Sequence, residues 1–226
     1  MVPMEPVITI DGPSGAGKSS AARSIAELGG WRYLDTGSLY RALTYGLLHI
    51  GLDQVTNHRT EWICSKMLEI EIEVVASANN PKIFCDGIEV GNEIRTDLVI
   101  QNVSEISALE CVRSRLLVLQ RALINGGGIV VEGRDIGSKV WPEADVKFFL
   151  TADLAARAKR RHAEISDGQG LDSVEGSMAM RDAVDSTRPV SPLTVPGGSI
   201  YLDATALSLG QVVDRMWSEI NRKLMP

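Results

Sequence analysis

Two periods of apolar residues take turns along the chain. Val7-Ile8-Thr9-Ile10 is a short, nearly continuous apolar run, as expected of a strand buried on both faces, and in the following "SSAARSIAEL" Ala22, Ile25, Ala26 and Leu28 recur at helical spacing. "WRYLD" predicts a second strand ending at Asp35, and "TGSLYRALTYGLL" predicts a helix capped by Thr36 or Ser38. This alternation predicts a parallel sheet. The texture then changes: Ile70, Ile72 and Val74 alternate with glutamates, Asn79-Asn80-Pro81 marks a turn, and "KIFC-DG-IEV" predicts a hairpin, so a small antiparallel insert is expected here. One helix is expected over 104–124, with Ile106, Leu109, Val112, Leu116, Leu119 and Leu123 on a single face.

"GGGIVVEGRDIG" predicts a loop, a buried strand and a polar turn at that strand's C-terminal end, where open α/β sheets bind ligands. "VKFFLTA" predicts another strand, "ARAKRRH" lies in a helix, "SDGQGLDS" is a loop, and "VEGSMAMRDAVDSTR" is a helix ended by the proline-rich "RPVSPLTVP". "SIYLDAT" predicts the last strand. Ser208-x-x-Gln211 forms a capping box before a helix with Leu209, Val212, Val213, Met216, Ile220 and Leu224 on one face.

Composition narrows the class. With 226 residues, 44% hydrophobic and 23% charged, the chain suits one globular unit with insertions. A net charge of −6 argues against general nucleic-acid binding. No apolar run approaches the roughly 18 residues of a membrane span, and "MVPMEPV" lacks the features of a signal peptide, so a cytoplasmic location is expected. Cys64, Cys85 and Cys111 are odd in number, far apart and in no C-x-x-C pair; they are expected to pack as small apolar residues, with no disulfide or zinc framework. His49, His58 and His162 show no metal-ligand spacing.

Against this background "DGPSGAGKSS" stands out. Gly12, Gly17, Lys18 and Ser19 fit G-x-x-x-x-G-K-[ST], with Gly15 as an additional glycine, between a strand and a helix. Glycines let successive backbone N–H groups turn toward one anion, and the helix N-terminus adds its positive end. Lys18 then reaches the β- and γ-phosphates and Ser19 takes up Mg²⁺. Other polar groups sit where a core element ordinarily has none. Arg41 lies in the first turns of a helix and reads either as a second phosphate contact or as a solvated arginine. Arg134-Asp135 follows a buried strand and either serves a ligand or caps the turn. Arg157, Arg160 and Arg161 share a helical face, as do Arg181, Asp185 and Arg188. Such runs are commonly wet helix faces, but two of them flanking a Gly-bearing loop in an acidic, phosphate-binding protein suggest a charge clamp on a mobile lid.

In their order, "VITIDGPSGAGKSS", "YLDTGSLYRA", "EIRT", "VEGRDIG" and "RDAVDSTRPVSPL" closely resemble the bacterial cytidylate kinase family over essentially the whole chain. The resemblance implies a P-loop nucleoside monophosphate kinase of the α/β class: a five-stranded parallel core (1–35, 105–155, 189–226), a monophosphate-binding insert (36–104) and a short helical lid (156–188). It implies transfer of the γ-phosphoryl group of ATP to CMP or dCMP with Mg²⁺. Gly12, Pro13, Ser14, Gly15, Ala16, Gly17, Lys18, Ser19 and Ser20 would bind ATP, with Ser19 as metal ligand. Thr36, Arg41, Ser104, Arg113, Arg134, Asp135, Arg181, Asp185 and Arg188 would face CMP. Lys18, Arg134, Arg157, Arg161 and Arg188 would act on the transferring phosphoryl group, with Arg157 and Arg161 closing over the ATP phosphates.

Thr36 stands where relatives often carry serine, and Glu132 replaces an aspartate found in some members. Arg95, in "EIRT", has no chemistry legible from sequence. The enzyme is expected to be a monomer. Rival readings are another small-molecule kinase, acting on UMP, GMP or shikimate, and a GTP-binding switch. For the switch, "DGQG" at 167–170 fits D-x-x-G, but it follows a charged helix and no N-K-x-D motif accompanies it.

Overall fold

The structure, a computed structural model, describes residues 5–78, 81–164 and 170–224. The first apolar run is strand β1 (Val7–Asp11), and α1 (Lys18–Gly29) follows the glycine-rich loop. β2 (Arg32–Asp35) and α2 (Thr36–His49) complete the first repeat. The insert contains α3 (Arg59–Lys66), β3 (Ile72–Val75), β4 (Lys82–Cys85), β5 (Ile88–Glu89) and α4 (Asp97–Ala108). α5 (Glu110–Ile124), β6 (Ile129–Gly133), β7 (Val146–Thr151), α6 (Leu154–Glu164), α7 (Leu171–Thr187), β8 (Ile200–Asp203) and α8 (Leu209–Leu224) follow.

The main sheet runs β2-β6-β1-β7-β8 with every pair parallel, and β3-β4-β5 form a separate antiparallel sheet. Alternation within each strand supplies both faces of the main sheet. Ile8, Ile10, Val130, Phe148 and Leu150 pack on α1 and α8 through Ala22, Ile25, Val212, Met216 and Ile220. Val7, Leu34, Ile129 and Val131 pack on the other face with Ile124, Ile136 and Val140. The insert has its own core, in which Leu39, Leu43 and Leu47 meet Ile63, Ile72, Ile83, Ile106, Val112 and Leu116.

The register places functional loops together. Asp11 pairs with Gly133 and Asp35 with Glu132, so three loops leave the C-terminal edge of the sheet side by side.

Several expectations need correction. The helix of α2 is capped by Asp35, whose carboxylate accepts from Ser38 N at 3.1 Å; the Ser38 hydroxyl donates back to Asp35 O, and that of Thr36 to Glu132 O. The single helix over 104–124 is two helices, α4 and α5, because Leu109 takes an extended conformation (φ −71, ψ 130). Its apolar side chain fits the helical spacing on either reading, so periodicity could not reveal the break. Leu28 is exposed, and α7 begins at Leu171, inside the expected loop. The Asn79-Asn80 part of the expected turn and residues 167–169 of the D-x-x-G match lie outside the described residues. The capping box is present, with Ser208 N donating to Gln211 Oε1 (2.9 Å) and Gln211 N to Ser208 Oγ (3.3 Å).

The cysteine expectation also fails. Cys64 of α3 and Cys111 of α5 form a disulfide across 47 residues, with Cα atoms 5.8 Å apart. Ile63 and Met67 of the α3 region share an apolar cluster with Val112 and Leu116 of α5, so hydrophobic packing brings together two thiols that sequence spacing keeps apart. Cys85 behaves as expected: it is free and buried, and burial pushes its thiol up to about 11. Closing a loop of this length contributes about 2–4 kcal/mol. Cys64→Ser should therefore lower the non-reducing Tm and abolish its sensitivity to reductant; equal Tm values for wild type with and without reductant would contradict the cross-link.

Candidate active site

β1 ends at Asp11 and the chain turns into Gly12, whose φ of 150° suits glycine and where a Cβ would collide with the Leu150 carbonyl of β7. Gly17, at φ 93°, starts α1 with no side-chain cap, so the first N–H groups of the helix face the loop unused. Lys18 is buried and its Nζ donates to Pro13 O at 2.7 Å, folding the ammonium over the loop. Burial first, then Arg134, pulls its pKa down to about 7, while Glu132 and Asp11 oppose. The P-loop lysine therefore already feels the arginine that follows β6.

That arginine begins a buried charge network. Arg134 Nε donates to Asp185 Oδ2 at 2.8 Å, and Asp185 also meets Arg188 at 3.4 Å. Arg188 reaches Asp135 Oδ1 at 3.8 Å, and Asp135 Oδ2 binds Arg113 Nη2 at 2.5 Å. Burial pushes the Asp185 carboxyl up, but Arg134, Arg181 and Arg188 outweigh it and hold it below its ordinary value. Burial and then Arg134 bring Arg181 down to about 10, with Arg41 and Arg161 adding to the repulsion. Such crowding of guanidinium groups disfavours their charge until an anion joins them.

The network leaves hydrogen-bonding capacity unused. Arg41 Nε, Arg113 Nε and Arg188 Nη2 are buried without partners, which is costly unless a ligand supplies acceptors.

At the β2 end, Arg41 Nη2 donates to Asp35 Oδ2 at 2.6 Å and Arg95 lies 3.9 Å from the same oxygen. Sequence reading passed over Arg95 because its position depends on the fold of the insert; Asp35, at a strand end, was the available signal. Ser104 lies on α4, part-buried, one turn before Ser107, whose carbonyl accepts from Arg113 Nη1. Thr36 is buried, and Gly133 has no Cβ to obstruct its hydroxyl, which would lie 2.6 Å away.

The basic face of α6 divides three ways. Arg157 is buried and bound to Ala152 O, Ser14 O and Asp182 Oδ2, which ties the P-loop to α7. Arg160 donates to Ala204 O at 2.6 Å and so braces the chain after β8. Arg161 pairs with Glu164 at an exposed position. On α7, Met178 lies over the loop, and a Cβ at Gly15 would come within 2.6 Å of its Cε.

Glu132 and Asp35 are adjacent in register at the edge of the P-loop. Burial and then Asp35 push the Glu132 carboxyl up, while Lys18 and the hydroxyls of Ser19 and Tyr33 oppose. A buried carboxylate, Glu132, and a half-buried one, Asp35, beside a serine hydroxyl suit a divalent cation, so this donor set fits Mg²⁺.

The chain matches the family model described as cytidylate kinase over residues 8–222. A protein of Desulfitobacterium hafniense (strain Y51) named cytidylate kinase is 42% identical over 220 residues, covering 96% of this chain and 93% of the relative. One of Geobacillus sp. (strain WCH70) with the same name is 40% identical over 220 residues, covering 96% and 97%. One of Caldanaerobacter subterraneus subsp. tengcongensis is 38% identical over 226 residues, covering 98% and 97%. A crystal structure of a gluconokinase from Sinorhizobium meliloti 1021 shares the fold at a TM-score of 0.50 and 18% identity, covering 97% of this chain and 93% of that one. A P-loop facing a buried arginine network, a family match along nearly the whole length and relatives at this level of identity lead to one conclusion: the chain belongs to the cytidylate kinase family.

Proposed function

We propose that the P-loop and the arginine network hold ATP and CMP or dCMP end to end, and that the enzyme transfers the γ-phosphoryl group to give CDP or dCDP and ADP. The carrying observation is that the donor loop after Asp11 and the acceptor loop after Gly133 leave paired positions of neighbouring strands, close enough for Arg134 to lower the Lys18 pKa. Phosphoryl transfer needs little covalent help: two phosphates must be held in line and the growing negative charge neutralised. The second pKa of a phosphate monoester is about 6, so the acceptor is already nucleophilic at neutral pH and needs no general base.

Gly12 to Ser20 bind the ATP phosphates, with Lys18 on the β- and γ-groups. Arg41 and Arg95, gathered by Asp35, hold the CMP phosphate, and Arg134 and Arg181 face the group in transit. Arg157, seated on Ser14, steadies the lid over the loop, and Arg161 is brought in by lid movement. Mg²⁺, held by Ser19 with Glu132 and Asp35 nearby, would neutralise charge on the donor phosphates. Met178 over Gly15 keeps water from the transferring group. We propose that the enzyme works as a cytoplasmic monomer on free nucleotides; among the described residues no helix is long and apolar enough to cross a membrane.

The Arg113–Asp135 pair supports reading of cytosine. Cytosine offers an N4 amino donor with acceptors at N3 and O2, which complement the Asp135 carboxylate, assisted by Ser104, and the Arg113 guanidinium. Uracil would turn its O4 acceptor toward Asp135, so rejection contributes as much as attraction. Arg188 braces this pair and faces the nucleoside.

An ADP-release assay with CMP, dCMP, UMP, GMP and shikimate tests the assignment: turnover should depend on CMP or dCMP, and slow acceptor-independent hydrolysis of GTP would support a switch protein instead. Arg134→Lys keeps the charge but loses the planar fork. It should lower kcat by about 10²-fold or more with a smaller change in KM for CMP; an unchanged kcat would remove Arg134 from the reaction centre. Asp135→Asn should lower kcat/KM for CMP and narrow the CMP:UMP ratio by about tenfold or more. A ratio that stays constant while both rates fall would make Asp135 a structural residue.

A further inference from the structure

Among the described residues Asp11 makes no hydrogen bond through its carboxylate to the phosphate-binding loop or to the acceptor arginines, yet it is fully buried between the two loops. It is the last residue of β1, directly before Gly12. Its Oδ1 accepts from Ile136 N at 2.8 Å and its Oδ2 from Gly137 N at 2.7 Å. Those two N–H groups immediately follow Asp135, and they open the π-helical turn Ile136–Val140, in which Asp135 O accepts from Lys139 N and Val140 N. The contact is tight, since a Cβ on Gly137 would stand 2.9 Å from Thr9 Oγ1 and 3.3 Å from Asp11 Oδ2. Burial raises the Asp11 pKa to about 6 against the pull of these two N–H groups, so an acidic group is kept here despite its desolvation cost.

From this geometry we infer that Asp11 is a positioning residue: by gripping Ile136 and Gly137 it sets the base-reading Asp135, which directly precedes them, at a fixed offset from the phosphate-binding loop. A carboxylate can accept both N–H groups at once, whereas an amide would meet one of them with its own NH₂. The inference rests on the assignment of Asp135 to the base, and it extends that assignment to a residue outside the substrate's reach.

The test is steady-state kinetics of Asp11→Asn, Asp135→Asn and the double variant, with CMP and UMP as acceptors. Asp11→Asn should raise KM for CMP about tenfold or more and narrow the CMP:UMP ratio, leaving KM for ATP within about twofold. Its effect on the ratio should largely vanish in the Asp135→Asn background, because both changes disturb one contact. A lower Tm with KM for CMP and the ratio unchanged would reduce Asp11 to a local cap and overturn the inference. KM for ATP rising in step with KM for CMP would overturn it too, by making Asp11 a support of the P-loop. If Asp135→Asn alone leaves the ratio unchanged, the base assignment falls first; if it narrows the ratio and Asp11→Asn does not, only the positioning role falls. Should Asp11→Asn fail to fold, Gly137→Ala disturbs the same contact from the other side and is expected to show the same split between CMP and ATP.

Discussion

The architecture answers one electrostatic problem: guanidinium groups must wait, dry and close together, for an anion that is not yet there. Arg113, Arg157 and Arg188 are all buried. Carboxylates are threaded between them so that Arg113 and Arg188 share Asp135, Arg134 and Arg188 share Asp185, and Arg157 holds Asp182. Removing one partner from such a network strands the other charge, at a cost of several kcal/mol. The sheet register that sets Asp11 beside Gly133 and Asp35 beside Glu132 keeps the spacing between these groups.

The network also ties together three parts of the chain far apart in sequence. Asp185 comes from α7, Arg134 from the turn after β6, and Arg113 from α5. Burial and neighbouring guanidinium groups lower the affinity of Arg181 and Arg188 for their own protons, and a bound phosphate would restore it. On the proposed function, ligand binding and the placement of α7 therefore draw on the same interactions.

Much of this was legible in the sequence, for physical reasons. A short, nearly continuous apolar run bounded by turn signals suits a strand buried on both faces, and the glycine-lysine loop marks a strand-to-helix turn, so the parallel core and the place of the P-loop were legible. The Asp-Gly hairpin at Asp86-Gly87 carries its own turn signal, with both residues at positive φ. What was not legible depends on tertiary meeting. The Cys64–Cys111 bond, the break at Leu109, the gathering of Arg95 by Asp35 and the grip of Asp11 on Ile136 and Gly137 all join segments whose local patterns say nothing of each other. The basic stripe of α6 shows the limit of helical spacing as a guide: Arg157, Arg160 and Arg161 share a face but serve a loop carbonyl, a strand end and a surface glutamate.

The central claim is that the acceptor site is assembled before ATP arrives, with its unpartnered guanidinium nitrogens set for a cytosine nucleotide. Calorimetric titration of ATP-free enzyme with CMP and with UMP tests it most directly. The account predicts saturable one-to-one binding of CMP, with UMP at least about tenfold weaker, as the difference of one hydrogen bond to a charged group requires. Absence of CMP binding without ATP, or equal affinity for the two nucleotides, would contradict it.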